Sequence, residues 1–236
     1  MDISKITSNQ PFMRIASILI IAFIVLYILR KLYQKTGTNQ KFILSAPLQG
    51  SSTMTIKSSK LPGPLNTNEF TYSMWIYING VNTAQKTLTH LMHIGNPDLS
   101  VVSPGIWLKP GSNDLNVRFN LIKNKNNQLV NNIKDCGIEN LPIKRWFNLS
   151  IVVNQEAIEL YVDGHLVKTC VASGLPNLNQ GDLFLCKNKD FNGVLSKLSF
   201  TSLALSANDI QTIYMKGPND DSNIKSLLMS PFSYFV

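Results

Sequence analysis

From Ile15 to Leu29 the chain reads IASILIIAFIVLYIL, fifteen residues without a charge. Phe12 and Met13 extend the run on one side, Leu32 and Tyr33 on the other. At roughly 1.5 Å per residue the uncharged stretch spans about 22 Å, short of the roughly 30 Å hydrocarbon core. Arg14, Arg30 and Lys31 flank it and can snorkel their charges to the interfaces, which makes up the difference. The pattern predicts a membrane anchor over 12–33, with Ile15, Ile18, Ile21, Phe23, Leu26 and Leu29 facing lipid, after a short tail at 1–11. A cleaved signal peptide is the competing reading. It would end in small residues, whereas Leu29 is followed by Arg-Lys-Leu-Tyr-Gln-Lys. A buried core helix, apolar all round with basic ends, would have to hide inside a β domain.

Basic residues near a span favour the cytoplasmic side, and the C-terminal flank (Arg30, Lys31, Lys35, Lys41) outnumbers the N-terminal one (Lys5, Arg14). The bias is small, but it places the remainder of the chain on the cytoplasmic face. The formal charge of +8 also raises nucleic-acid binding. Apart from the anchor flanks, however, Lys and Arg are scattered singly, so no nucleic-acid partner is expected and the bilayer is. With 44% hydrophobic and 15% charged residues the chain supports a sizeable core and is not disordered.

Residues 34–50, rich in Thr, Gly, Ser, Gln and Pro around Phe42-Ile43-Leu44, read as a linker. Short strand patterns follow. Phe70 to Ile78 is dense in aromatic and β-branched residues, with Phe70, Tyr72, Met74, Ile76 and Ile78 on one face, and it closes at Asn79-Gly80. Gly105–Leu108, Leu115–Leu121 and Trp146–Val153 are further strands. Glu156 to Cys170 is a hairpin in which Asp163-Gly164 supplies the turn; Ile158, Leu160 and Val162 point one way, Glu159 and Tyr161 the other. Asp182–Cys186 and Phe191–Phe200 continue the series. Ser206 then caps a helix over Ala207–Met215 that Gly217-Pro218 stops. The Asn-rich stretch from Lys123 to Asn132 reads as an exposed loop. Residues 218–236 form an apolar tail in which Leu227, Phe232, Tyr234 and Phe235 are candidates for docking on a neighbour.

In this order the elements at Phe70–Ile78, from Trp146 through Leu160-Tyr-Val-Asp-Gly164, and from Phe191 to Phe200 leading into Leu205–Ile210 and Tyr214 resemble the concanavalin A-like lectin/glucanase superfamily in its laminin G-like branch. The resemblance implies an all-β jelly-roll sandwich of two antiparallel sheets over 51–217, preceded by one transmembrane helix. Members of that superfamily bind glycans, bind proteins, hydrolyse glycans or act as scaffolds, so the fold does not choose among these. An anchor joined to such a domain in an Asn- and Lys-rich chain is also similar to proteins of large DNA viruses that sit between an internal membrane and the capsid.

Chemistry is sparse. The family's hydrolases need two carboxylates on one strand face, whereas Glu156 and Glu159 are three apart and fall on opposite faces of a strand. His90-Leu-Met-His93 is spaced for a helix face but lies in strand and loop, so both read as ordinary surface or half-buried histidines. Asp98, Asp114, Asp163, Asp182 and Asp190 form no metal motif. Cys136, Cys170 and Cys186 contain no Cys-x-x-Cys; free thiols are the plainer reading, with a Cys170–Cys186 bridge as the alternative. Trp75 and Trp146 fit core positions, which leaves Trp107 and Tyr161 as candidate outward aromatics. No catalytic residue, cofactor or metal is expected. The leading expectation is a non-enzymatic, membrane-anchored structural or adaptor protein, a minor capsid or membrane-associated virion component, that binds other structural proteins. The alternative is a membrane-displayed glycan-binding module, for which the Asn148-Leu149-Ser150 sequon would matter.

Overall fold

The computed structural model describes residues 10–35, 40–62, 68–122, 129–177 and 181–218, with backbone alone at 10–14, 29–35 and 129–132. The apolar run forms helix α1 (Gln10–Lys35), which belongs to a unit separate from the one beginning at Gln40. The exposed large side chains of α1 from Ile15 to Ile28 show between 48% and 78% of their surface. Among the described residues no helix is long and apolar enough to cross a membrane. The stretch of α1 with described side chains ends at Ile28, and at roughly 1.5 Å per residue it covers only about 21 Å. Leu29 and the charges expected to flank an anchor, Arg14, Arg30 and Lys31, have no described side chains, and the tail with Leu227, Phe232, Tyr234 and Phe235 lies outside the described residues.

The second unit is all-β, built from two seven-stranded antiparallel sheets. The first sheet runs in the order β1 (Lys41–Leu44), β14 (Gly193–Thr201), β4 (Glu69–Ile78), β9 (Trp146–Asn154), β10 (Ala157–Val162), β11 (His165–Val171), with β2 (Leu48–Gln49) also paired to β14. The second runs β12 (Leu175–Pro176), β7 (Leu115–Ile122), β6 (Val102–Leu108), β5 (Thr89–Gly95), β13 (Asp182–Leu185), β3 (Met54–Ile56), with β8 (Leu129–Ile138) paired to β7.

The core lies between the sheets and follows the period-2 reading of the strands. β4 turns Phe70, Tyr72, Met74, Ile76 and Ile78 inward, β9 contributes Phe147, Leu149, Ile151 and Val153, and β7 answers with Leu115, Val117, Phe119 and Leu121. The Phe70 and Phe119 rings meet across the sandwich at 6.5 Å. Each fully buried side chain of this kind contributes about 1.5–3 kcal/mol by leaving water. At the β10–β11 turn Asp163 and Gly164 both take positive φ, 51° and 81°, the left-handed geometry that a two-residue hairpin needs. Helix α2 (Ala207–Met215) is capped by Ser206, whose side chain accepts from the Asp209 amide while the Asp209 carboxylate accepts from the Ser206 amide.

Three expectations need correction. The stretch 34–50 is not wholly linker, because Lys41–Leu44 and Leu48–Gln49 pair with β14 and bury Leu44 and Leu48. Their runs are too short to show a period. Leu129 to Asn132, expected in an exposed loop, opens β8, where Asn132 pairs with Leu121 and Leu129 with Ile122; backbone pairing to β7 overrides the polar composition. The cysteines are not three free thiols. Cys136 on β8 and Cys170 on β11 form a disulfide that joins the two sheets, while Cys186 is free and buried. The pairing depends on which strands the fold brings together, which cysteine spacing does not reveal.

Candidate functional site

The outward face of the second sheet carries a row of side chains running from strand to strand. Phe184 on β13 stacks on His93 of β5 with centroids 4.6 Å apart and planes 11° from parallel. His93 meets His90 edge-on at 4.9 Å, and His90 meets Trp107 of β6 edge-on at 5.8 Å. The Arg118 guanidinium of β7 lies 5.7 Å from the Trp107 centroid and is held by two hydrogen bonds to Asp135 of β8, at 2.8 and 2.9 Å. Trp107 is thus 4% exposed and offers no sugar platform, contrary to expectation. Its ring lies down over Gly105, where a Cβ would collide with it.

His90 and His93 are 1% and 0% exposed, not surface histidines. Three residues apart, they would point to opposite faces of a regular strand. The register explains why they do not: His90 pairs with Trp107 but Met92 with Ile106, so Leu91 is an extra residue on β5. Leu91 and Met92 both enter the core, and the two imidazoles come out on the same side. His90 Nε2 lies 2.6 Å from His93 Nδ1, a hydrogen bond. Two imidazoles sharing a tetrahedral zinc would hold their nitrogens roughly 3.3 Å apart, and among the described residues no trio of His, Cys, Asp or Glu could hold a metal. Two consecutive apolar residues between the histidines were the signal for the bulge.

The outward face of the first sheet is covered by α2. Tyr161, expected to face solvent, is 4% exposed beneath Ile210 and Ile213 of that helix, together with Val152 and Leu205. It does point away from the main core, but a further layer covers it. Its hydroxyl donates to Glu159 Oε2 at 2.7 Å, and burial with that carboxylate pushes its pKa up to about 12. Trp75 stacks on Tyr214 of α2 at 5.8 Å, and Trp146 meets Tyr77 edge-on at 5.6 Å. On the same face Asn148 donates to Ser73 Oγ and to the Met74 carbonyl, and Ser150 Oγ lies 2.9 Å from both Ser73 Oγ and Asn148 Oδ1. The sequon asparagine is therefore wholly buried, at 0% exposure.

A groove of about 480 Å³ lies between the end of β8 and the β10–β11 hairpin, lined by Ile138, Glu139, Leu141, Val162, Val167 and Lys168 among others. Its loop wall is fixed by Asn113, which donates to the Leu141 carbonyl at 2.5 Å, and by Asp114, which accepts from the Asn140 amide at 2.9 Å. The adjoining face of β11 leaves Leu166, Val167 and Val171 exposed. The wall is half apolar and carries one acid and one base, so it can hold a peptide or a polar ligand by contact but has no paired carboxylates for hydrolysis.

Of the aspartates considered for metal binding, Asp98, Asp114, Asp163 and Asp182 have structural partners. Asp182 pairs with Lys57 and accepts from the Ser58 amide; Asp163 pairs with Arg145 and accepts from the Asn148 amide; Asp114 lies 3.9 Å from Lys109. Asp98 is held below the usual carboxylate range by hydrogen bonds from Ser100. Asp190 has a buried Oδ1 without a hydrogen-bond partner, and it raises the Cys186 thiol, already pushed up by burial, to about 12.

Two antiparallel sheets packed face to face define a β-sandwich of the jelly-roll kind. The chain belongs to the concanavalin A-like lectin/glucanases superfamily: its laminin G-like family model matches residues 48–211. No curated protein matches the sequence significantly. Solved structures with a similar fold include the botulinum neurotoxin serotype D ligand binding domain in complex with N-acetylneuraminic acid (TM-score 0.57, 15% identity, 76% of this chain and 44% of that one). The serotype G binding domain is similar too (TM-score 0.52, 14% identity, 76% and 46%). The chain thus spans less than half the length of these structures, and at such identities the likeness is one of fold.

Proposed function

We propose that this chain is a non-enzymatic, membrane-anchored binding protein in which α1 sits in a bilayer and the sandwich contacts other proteins. The observation that carries the reading is α1 itself: an unbroken 26-residue helix whose described apolar side chains are exposed. At roughly 1.5 Å per residue its full length is about 39 Å, of which the uncharged run from Ile15 to Leu29 covers about 22 Å of a roughly 30 Å hydrocarbon core. The fold is of a binding type, and the groove beside β8 and β11, with exposed Leu166 and Val167 next to it, is the contact surface.

Two observations pull in opposite directions on which side the sandwich faces. The basic flank after α1 favours the cytoplasm, by only a few charges. The Cys136–Cys170 bond favours an oxidising compartment, because cytosolic thiol pools keep such bonds reduced. The disulfide is the heavier and supports a sandwich on the non-cytoplasmic side. The finer form of the reading, a minor virion component between an internal membrane and a capsid, rests on composition and loses the free thiols that suited it.

Alkaline carbonate extraction of membranes from cells making the full chain tests the anchor. Retention in the pellet, and release when residues 1–39 are deleted, is expected; release of the full chain overturns it. Protease protection in microsomes tests the side, with a protected sandwich expected. The second reading, glycan recognition, draws on the structural neighbour solved with N-acetylneuraminic acid and on Glu139, Asn140 and Lys168 in the groove. A glycan panel probed with the detergent-solubilised full chain decides it: binding that Asn140→Ala abolishes would put this reading first, and a flat panel removes it.

A further inference from the structure

We infer that His90 and His93 form an acid-released clasp tying the loop at 96–101 and the turn at Lys187 to the outward face of the second sheet. The Lys187 amide donates to His90 Nδ1 at 3.1 Å, so that nitrogen carries a lone pair and His90 bears its proton on Nε2. His90 Nε2–H then donates to His93 Nδ1 at 2.6 Å, which leaves the His93 proton on Nε2, donating to the Asn96 carbonyl at 3.2 Å. Each ring nitrogen is used once. The chain exists only with both rings neutral, because a further proton must go onto His90 Nδ1 or His93 Nδ1, and both already accept. On His90 it faces the Lys187 N–H; on His93 it sets two N–H groups against each other.

Beyond the backbone carbonyls of His90 and Asn96, the surroundings offer an imidazolium no compensation among the described residues. β13 supplies Phe184 and β6 supplies Trp107, neither charged; behind Trp107, Arg118 of β7 is paired with Asp135 of β8. From the turn after β13 comes Lys187, whose ammonium donates to the Pro97 carbonyl and lies 5.8 Å from the Phe184 ring. On the loop itself, Asp98 is fully exposed and bound to Ser100; Asp190, further along the turn, acts on Cys186. The nearest full charge is thus positive, and among the described residues no carboxylate contacts either ring. Burial first, then neighbouring charge, pushes His90 down to about 3; burial leads for His93, at about 4.

A solvated imidazole takes its proton near pH 6.5. Acid therefore favours whatever state frees the rings, and between pH 7.5 and 5 the opening equilibrium rises by up to about 30-fold for each imidazole released. The loop and the turn leave together, since Asn96 accepts from His93, and Lys187 holds both His90 and Pro97. What they uncover is the ring face of Phe184 and Trp107.

The test is limited proteolysis of the full chain in detergent at pH 7.5 and 5.0 with a protease active at both, reading cleavage within 96–101. Its partner experiment is a ¹⁵N titration of the histidine rings of the unaltered chain. Cleavage should rise at least tenfold in acid, and the rise should vanish in His90→Gln/His93→Gln, whose amides keep polar contacts but do not titrate. Both buried rings should hold the Nε2–H tautomer to pH 5. A rise that persists in the double variant, no rise at all, or ring titration near pH 6.5 in the folded chain would each overturn the clasp. If the double variant does not fold, the titration alone decides.

Discussion

The indole of Trp107 lies across the Cα of Gly105, two residues back on the same strand, in space that any side chain at 105 would need. Gly105→Ala should therefore lift the ring off the sheet and loosen its contacts with His90 and Arg118. Overpacking of this kind typically costs about 1–3 kcal/mol. Urea unfolding followed by tryptophan fluorescence should show a lower midpoint with an unchanged slope; an unaltered midpoint would mean that the ring shifts freely and is not part of the packed face.

The disulfide closes a separation of 34 residues. Chain-entropy reasoning gives roughly 3–4 kcal/mol for a loop of that size. Cys136→Ser/Cys170→Ser should move the unfolding midpoint down by about that amount, and a reductant should do the same to the unaltered chain while leaving the variant untouched. Thiol labelling should count one thiol, Cys186, in denaturant without reduction and three after it. In the folded chain at pH 8 Cys186 should react far more slowly than a free thiol, because it is buried and its pKa is pushed up to about 12.

Asn148 satisfies Ser73 and the Met74 carbonyl from a position without solvent. Replacing it by Ala strands those groups, which costs about 1–3 kcal/mol. For the same reason folded protein recovered from a glycosylating host should carry no glycan at Asn148. Intact-mass spectrometry checks this, and a glycan on folded material would contradict the buried network.

Helix α2 should be removable in two grades. Ser206→Ala deletes the cap and should lower stability by about 1 kcal/mol. Ile213→Ala opens a cavity over Tyr161 and should cost about 2–5 kcal/mol, with quenching by acrylamide revealing whether Trp75 has become accessible as its cover loosens.

Much of the sandwich was legible because its strands obey local rules. Alternation placed Phe70 to Ile78 and Ile158 to Val162 on their inner faces, Asp163-Gly164 marked the hairpin, and Ser206 with Gly217 bracketed α2. What escaped depends on tertiary closure. Tyr161 was read correctly as pointing away from the main core, but facing outward is not exposure when a helix from fifty residues later lies on top. The disulfide needed knowledge of which strands end up beside each other, and Lys41–Leu44 is too short to carry a period. The histidine pair was hidden by a bulge, where period-2 counting fails.

That failure makes Leu91 a supernumerary residue. Without it, His90 and Met92 would be consecutive members of an ordinary strand, opposite Trp107 and Ile106 as they are now, and the two imidazoles would still emerge on one side. A one-residue deletion in a β-strand ordinarily turns every later side chain inside out; here it would restore regularity. Position 91 is thus where this strand can lose a residue and keep the same inner and outer faces.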